Sequence, residues 1–204
     1  MTRLLLNASP HGASSRAFGM AQTCLDEHAR ISGDAETIVR DLAQFPLPAI
    51  TSEYAAAITS REPDPTQFAL SERLIEELEA TSFLAIATPM HNFTVPASLK
   101  LWIDHVVRIG RSFASTPDGK VGLLKDRPTV VIVGSGGFHT GESARQPDFL
   151  TPYLRHALSC IGITDVTFFL MQGLVAGSEA GERAVTACRT DLARYLRPLA
   201  SSPR

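Results

Sequence analysis

Three uninterrupted apolar runs, Leu4-Leu5-Leu6, Phe83-Leu84-Ala85-Ile86-Ala87 and Val130-Val131-Ile132-Val133, constrain this chain more than any other feature. A strand without polar alternation has no face to show to water, so each run must be covered on both sides. Segments of helical period lie between them, and that alternation predicts an α/β protein with a parallel sheet and crossover helices. A helix is expected from Ser14 or Ser15 to about Ala29, with Phe18, Ala21 or Gln22, and Leu25 on its inner face. Thr37-Ile38-Val39 reads as a second, short strand, followed by Asp41-Leu42 and the proline-punctuated stretch Phe45-Pro46-Leu47-Pro48. A short helix near Tyr54 to Thr59 precedes Pro63-Asp64-Pro65, and Phe68, Leu70 or Ser71, Leu74, Ile75 and Leu78 mark the next one.

After the third strand, ending at Thr88-Pro89, Pro96 fits the first turn of a helix whose buried stripe is Leu99, Trp102, Ile103, Val106 and Val107. Thr151 to Ile161 reads as a helix with Pro152 in its first turn and Gly162 as a stop, Val166 to Leu170 as the fifth strand. A last helix, about Glu179 to Leu196, uses Ala184, Ala187 or Cys188, Leu192 and Tyr195 or Leu196, and ends before Pro198. Five strands with intervening helices predict a three-layer α/β/α sandwich, a five-stranded parallel sheet of order 2-1-3-4-5.

Composition narrows the function classes. The 204 residues fit one compact domain, 1–204. Nineteen Lys and Arg against 21 Asp and Glu leave a net charge of -2, so no basic surplus points to nucleic acid or an anionic membrane. No apolar run approaches the ~18 residues of a membrane span. The Met1-Thr2-Arg3 start with its short Leu run lacks the features of a secretory signal, so a soluble cytoplasmic protein is expected. Cys24, Cys160 and Cys188 are odd in number and widely spaced, which favours three small buried hydrophobes over a disulfide or a metal site. The six histidines offer no His-Glu-x-x-His spacing.

In doubly wound sheets ligands bind beyond the carboxyl ends of the strands, where the winding reverses. Three unusual loops fall there. After strand one, Ser9, Ser14, Ser15 and Arg16 bring hydroxyls, a cation and a helix N-terminus together, a donor set suited to a phosphate. A serine that merely caps the helix, its neighbours facing water, explains the same residues. The loop is neither a Walker loop nor Gly-x-Gly-x-x-Gly, and without the P-loop lysine it suits a resident monophosphate better than a hydrolysed triphosphate. After strand three, Pro89-Met90-His91-Asn92-Phe93 offers amides, an amide side chain and two large apolar groups to a flat heterocycle, although Met and Phe plugging the core is the plainer reading. After strand four, Gly134-Ser135-Gly136-Gly137 presents closely approachable backbone, followed by His139. His91 and His139 are candidate ligand contacts, His11 a weaker one. No Gly-x-Ser-x-Gly elbow supports hydrolysis.

These loops in this order resemble the FMN-dependent NADH-azoreductases of the flavodoxin-like quinone reductases. The likeness continues through Pro96-Ala97-Ser98-Leu99-Lys100, Asp104, Arg108-Ile109-Gly110 and Phe113, then Thr151-Pro152-Tyr153-Leu154 and Gly162-Ile163-Thr164-Asp165-Val166. By that resemblance Ser9, Ser14, Ser15 and Arg16 hold the FMN phosphate, Pro89 to Phe93 line the isoalloxazine, and Gly134, Ser135, Gly136 and Gly137 meet its far edge. His91 stands where the family commonly has tyrosine, and the first loop is compact. The resemblance also implies a homodimer with the flavin near the interface.

The activity implied is a two-step exchange in which NADH reduces bound FMN and a quinone or azo compound is then reduced, with no certain catalytic side chain and His139 as a candidate proton donor. Two other classes compete. A flavodoxin-type electron carrier would bind FMN without a small-molecule substrate, but the balanced charge lacks the acidic docking face such carriers present. A nucleotide-binding regulator would bind ligand without turnover.

Overall fold

The structure is a computed structural model that describes residues 2–33 and 36–199. The first half contains β1 (Thr2–Asn7), α1 (Arg16–Ser32), β2 (Thr37–Asp41), α2 (Ser52–Thr59), α3 (Ala69–Ala80), β3 (Thr81–Pro89) and α4 (Ala97–Val106). The second half contains β4 (Phe113–Thr116), β5 (Gly119–Gly122), β6 (Thr129–Gly134), α5 (Leu150–Cys160), β7 (Val166–Met171) and α6 (Ser178–Leu199). Five strands pair in parallel in the order β2-β1-β3-β6-β7, which is 2-1-3-4-5 when only the sheet strands are numbered.

Strand parity decides what each helix covers. Leu4, Leu6, Leu84, Ile86, Val131 and Val133 point to one face, against Leu74, Ile75 and Leu78 of α3 and Leu99, Trp102, Ile103 and Val106 of α4. Leu5, Phe83, Ala85, Ala87, Val130 and Ile132 point to the other, against Phe18, Ala21 and Leu25 of α1 and Leu192 and Leu196 of α6. Each fully buried leucine or isoleucine contributes about 1.5–3 kcal/mol, so alternate residues of the same strand hold both outer layers. No described helix is long and apolar enough to cross a membrane.

Several local expectations are corrected. An antiparallel hairpin, β4–β5, interrupts the path from α4 to β6 where the sequence suggested only a loop; its strands are four residues long and half their residues are exposed, so they carry no apolar run. Pro96 caps α4 from outside its first turn, with φ -66 and ψ 156. Pro198 lies inside the last turn of α6 instead of ending it. In α1 it is Ala21 that faces inward while Gln22 is exposed, and in α3 Ser71 is buried, its hydroxyl donating to the His105 carbonyl at 2.6 Å.

The three cysteines divide two to one. Cys24 and Cys188 are buried in the α1/α6 layer, whereas Cys160 is half-buried on α5 with its Sγ 3.7 Å from His156 Nε2. Burial, with Cys188 nearby, pushes the Cys24 thiol up to about 12, and burial, with Asp191 nearby, pushes Cys188 up to about 11. The ordinary value is 9.0, so the folded state binds these protons more tightly than the unfolded chain. Their contribution to stability is therefore complete below pH 9.0 and is lost as the pH rises toward 11 and 12. Urea midpoints measured from pH 8 upward should fall across that window, and Cys24→Ala should flatten the fall; an unchanged slope in the variant would remove Cys24 from the explanation.

Candidate functional site

The loops at the carboxyl ends of β1, β3, β6 and β7 enclose a cavity of about 430 Å³. Its first wall is organised by Asn7, which is fully buried at the end of β1. Asn7 Nδ2 donates to Asp41 Oδ2 at 2.9 Å, and its Oδ1 accepts the Ser9 N–H at 3.1 Å, so one side chain ties the loop to the end of β2. Ser9 is buried as well; its Oγ accepts the His11 N–H at 3.3 Å, and its carbonyl accepts from Gly12 at 3.1 Å. Gly12 has φ +51, a left-handed conformation that glycine adopts without steric cost. A 3-10 turn at Gly12–Ser14 then delivers the chain to α1.

Ser15 is the N-cap of α1, its Oγ accepting the Phe18 N–H at 3.3 Å. The capping role is thus real, and it leaves the N–H groups of Arg16 and Ala17, which have no intrahelical acceptor, facing the cavity end of the helix. Two free amides, the positive end of the helix dipole and the exposed Ser14 form an anion-binding concavity. Arg16 lines the cavity, but its guanidinium runs over Gly181 toward α6 and lies 3.6 Å from Glu182. Its charge is therefore partly compensated by that carboxylate.

Pro89, Met90 and His91 supply the second wall, and the Met90 N–H donates to the Gly134 carbonyl at 2.9 Å, joining the β3 and β6 loops. His91 and Thr94 exchange two backbone hydrogen bonds, each 3.0 Å, around Asn92 and Phe93. Asn92 has φ +46 and Phe93 φ +74, the pattern of a type I′ turn. For phenylalanine this conformation costs of order 1–3 kcal/mol, and such strain persists only where surroundings over-determine it. Here the Phe93 carbonyl accepts from the Phe149 N–H at 3.0 Å, anchoring the turn to the start of α5. Asn92 and Phe93 stand outside the cavity lining, both exposed.

Gly134, Ser135 and Gly136 form the third wall. Ser135 is buried; its N–H donates to the Met171 carbonyl and its hydroxyl to the Gly137 carbonyl, both at 2.9 Å. A Cβ at Gly136 would lie 3.2 Å from Val175, so the missing side chain lets the loop after β7 close over this end. Gly137 turns toward Gln146 and His139 is held elsewhere, its N–H donating to Gln172 Oε1 at 2.6 Å and its Nδ1 3.3 Å from the Pro147 carbonyl. Neither lines the cavity. Leu174 and Val175 do, and sequence reasoning missed them; the signal was the pairing of β7 beside β6, which brings their terminal loops together. Val175 is 82% exposed.

Fold and site together define a flavodoxin-like α/β protein with a cavity at the topological switch point. Residues 1–196 match the family described as Flavodoxin-like fold. A Pseudomonas fluorescens protein named FMN-dependent NADH:quinone oxidoreductase 4 is 52% identical over 197 residues, 96% of this chain and 95% of its own. A Burkholderia lata protein, FMN-dependent NADH:quinone oxidoreductase 5, is 49% identical over 192 residues, 94% of this chain and 92% of its own. The chain belongs to the flavodoxin-like fold family and, within it, to the FMN-dependent NADH:quinone oxidoreductases. The fold is shared by an FMN-dependent NADH-azoreductase from Bacillus anthracis solved in complex with FMN, at a TM-score of 0.76 and 24% identity, covering 95% of this chain and 98% of that one. An azoreductase from the Sterne strain gives 0.83 at 19% identity, covering 96% and 98%.

Proposed function

We propose that residues 1–204 act as one FMN-binding domain and that the protein is an FMN-dependent NADH:quinone oxidoreductase that also reduces azo compounds. The observation that carries this is the gathering of Ser9, Ser14, Ser15, Arg16, Pro89, Met90, His91, Gly134, Ser135 and Gly136 around one cavity. FMN, when bound, would supply the redox chemistry, hydride transfer from NADH to the acceptor. The donor set fits it. The amides of Arg16 and Ala17, with Ser9 and Ser14, would hold the phosphate; Pro89, Met90 and His91 would lie along the ring; the Gly136 amide, unpaired among the described residues, would meet its polar edge. Asn92 and Phe93 stand at the rim, and Gly137 and His139 behind the third wall.

Cytoplasmic residence and a homodimer belong to the same proposal, and the apolar rim formed by Phe93, Phe149 and Val175, all exposed, is the surface a second copy would cover. The relatives, named as oxidoreductases, favour turnover over electron carriage.

Steady-state rates with NADH and a benzoquinone should give parallel double-reciprocal lines, the signature of a donor that leaves before the acceptor enters. Intersecting lines would require both substrates bound together and would refute the two-step exchange. Because His139 Nδ1 is directed to a backbone carbonyl outside the cavity, His139 is not the acceptor's proton donor, and His139→Ala should keep kcat within about twofold. A loss of about 100-fold, the usual size of a general-acid effect, would restore His139 to the reaction.

A further inference from the structure

A second and larger cavity, about 710 Å³, opens at the same sheet edge between the first loop and β2. It shares His11 with the cavity described above, so one loop is the wall between them. Resting on the oxidoreductase reading, we propose that this second cavity receives the adenosine half of the NADH donor, with Asp41 at its ribose. The volume falls within the ~300–1,000 Å³ of small-molecule sites. The neighbouring cavity, about 430 Å³, is the smaller of the two, and the proposal assigns it the flavin and the nicotinamide.

Two kinds of surface line the second cavity. Val39 is 51% exposed and Phe45 68% exposed, an apolar pair that nothing in the described chain covers and that offers a base a stacking platform. Beside them Asp41 ends β2. Its Oδ1 accepts the N–H groups of Ala43 and Gln44 at 3.0 and 2.8 Å, and its Oδ2 accepts from Asn7. A carboxylate has about four acceptor positions, so one remains on Oδ2 for a hydroxyl proton. A carboxylate at the end of the second strand, beside the β1 loop, is the arrangement by which dinucleotide-binding sheets take a ribose 2′-hydroxyl. The same charge repels a 2′-phosphate, which makes NADH the preferred donor over NADPH.

The test uses calorimetry of the FMN-loaded protein with ADP-ribose, and kinetics with NADH against reduced nicotinamide mononucleotide, which lacks adenosine. Phe45 is exposed, so Phe45→Ala leaves the core intact. ADP-ribose should bind, and Phe45→Ala should weaken it about tenfold, the size of one base–aromatic stack. The same variant should raise KM for NADH about tenfold and leave KM for the mononucleotide within about twofold; wild-type KM for NADPH should exceed that for NADH by at least about tenfold. Absent ADP-ribose binding, equal effects on both donors, equal KM for NADH and NADPH, or a change in oligomeric state alone in Phe45→Ala would each overturn the proposal. Failure of the oxidoreductase reading is recognised separately, because the protein would then retain no FMN.

Discussion

Ser15→Asp should weaken FMN about 100-fold and leave riboflavin within about threefold of its original affinity. Aspartate caps a helix as well as serine does, so its carboxylate can still accept the Phe18 N–H and the α1 start survives. What changes is charge. The free amides of Arg16 and Ala17 follow immediately, and a carboxylate there stands within a few ångströms of where a phosphate would sit. At an effective dielectric of about 20, two unit charges at 4 Å repel by about 4 kcal/mol, and partial exposure brings this to roughly the 2.7 kcal/mol of a 100-fold effect. Riboflavin has no phosphate and escapes the repulsion. Fluorescence titration of both flavins reads the difference; equal losses would move the phosphate away from the α1 N-terminus.

The largest structural effect is expected at Gly122, far from the cavity. Gly122 ends β5, and a Cβ there would lie 2.1 Å from the backbone nitrogen of Gly162 and 2.4 Å from its Cα. Backbone atoms cannot step aside as a flexible side chain would. Gly162 itself has φ +100, and its own Cβ would meet the Leu124 carbonyl oxygen at 2.5 Å, while the Leu124 N–H donates to Ile161 at 3.1 Å. The hairpin therefore rests main chain on main chain against the end of α5, and two glycines make that approach sterically allowed. Gly122→Ala should cost about 3 kcal/mol, the upper end of overpacking effects, and lower Tm by about 6–12 °C for a chain of this size. A Tm within about 2 °C of wild type would mean that the hairpin does not pack this closely.

Strand identity was legible where burial on both faces forces uninterrupted apolar residues, as in Leu4-Leu5-Leu6 and Val130-Val131-Ile132-Val133, and the sheet order followed from the crossovers. The same logic could not show β4 and β5. Four-residue strands joined through Pro117-Asp118 carry little beyond a turn signal, and what holds them is backbone packing at Gly122 and Gly162. In the site, loop position was readable and side-chain direction was not. Arg16 follows the first loop and lines the cavity, yet its guanidinium lies toward Glu182, far along the chain. Asn92 is a residue type that enters left-handed backbone readily, but Phe93 gave no hint of it; the Phe93–Phe149 bond that sustains the turn is tertiary. Leu174 and Val175 were invisible for the same reason, being ordinary apolar residues until β7 is set beside β6.

The central claim is that the cavity at the carboxyl ends of β1, β3 and β6 holds a flavin that NADH can reduce. An anaerobic titration of the FMN-reconstituted protein with NADH, followed by visible absorption, tests it most directly. The account predicts that the protein retains FMN through gel filtration and that the oxidised flavin bands bleach with about one equivalent of NADH per flavin. Bands that persist in excess NADH, or FMN that separates from the protein on the column, would contradict it.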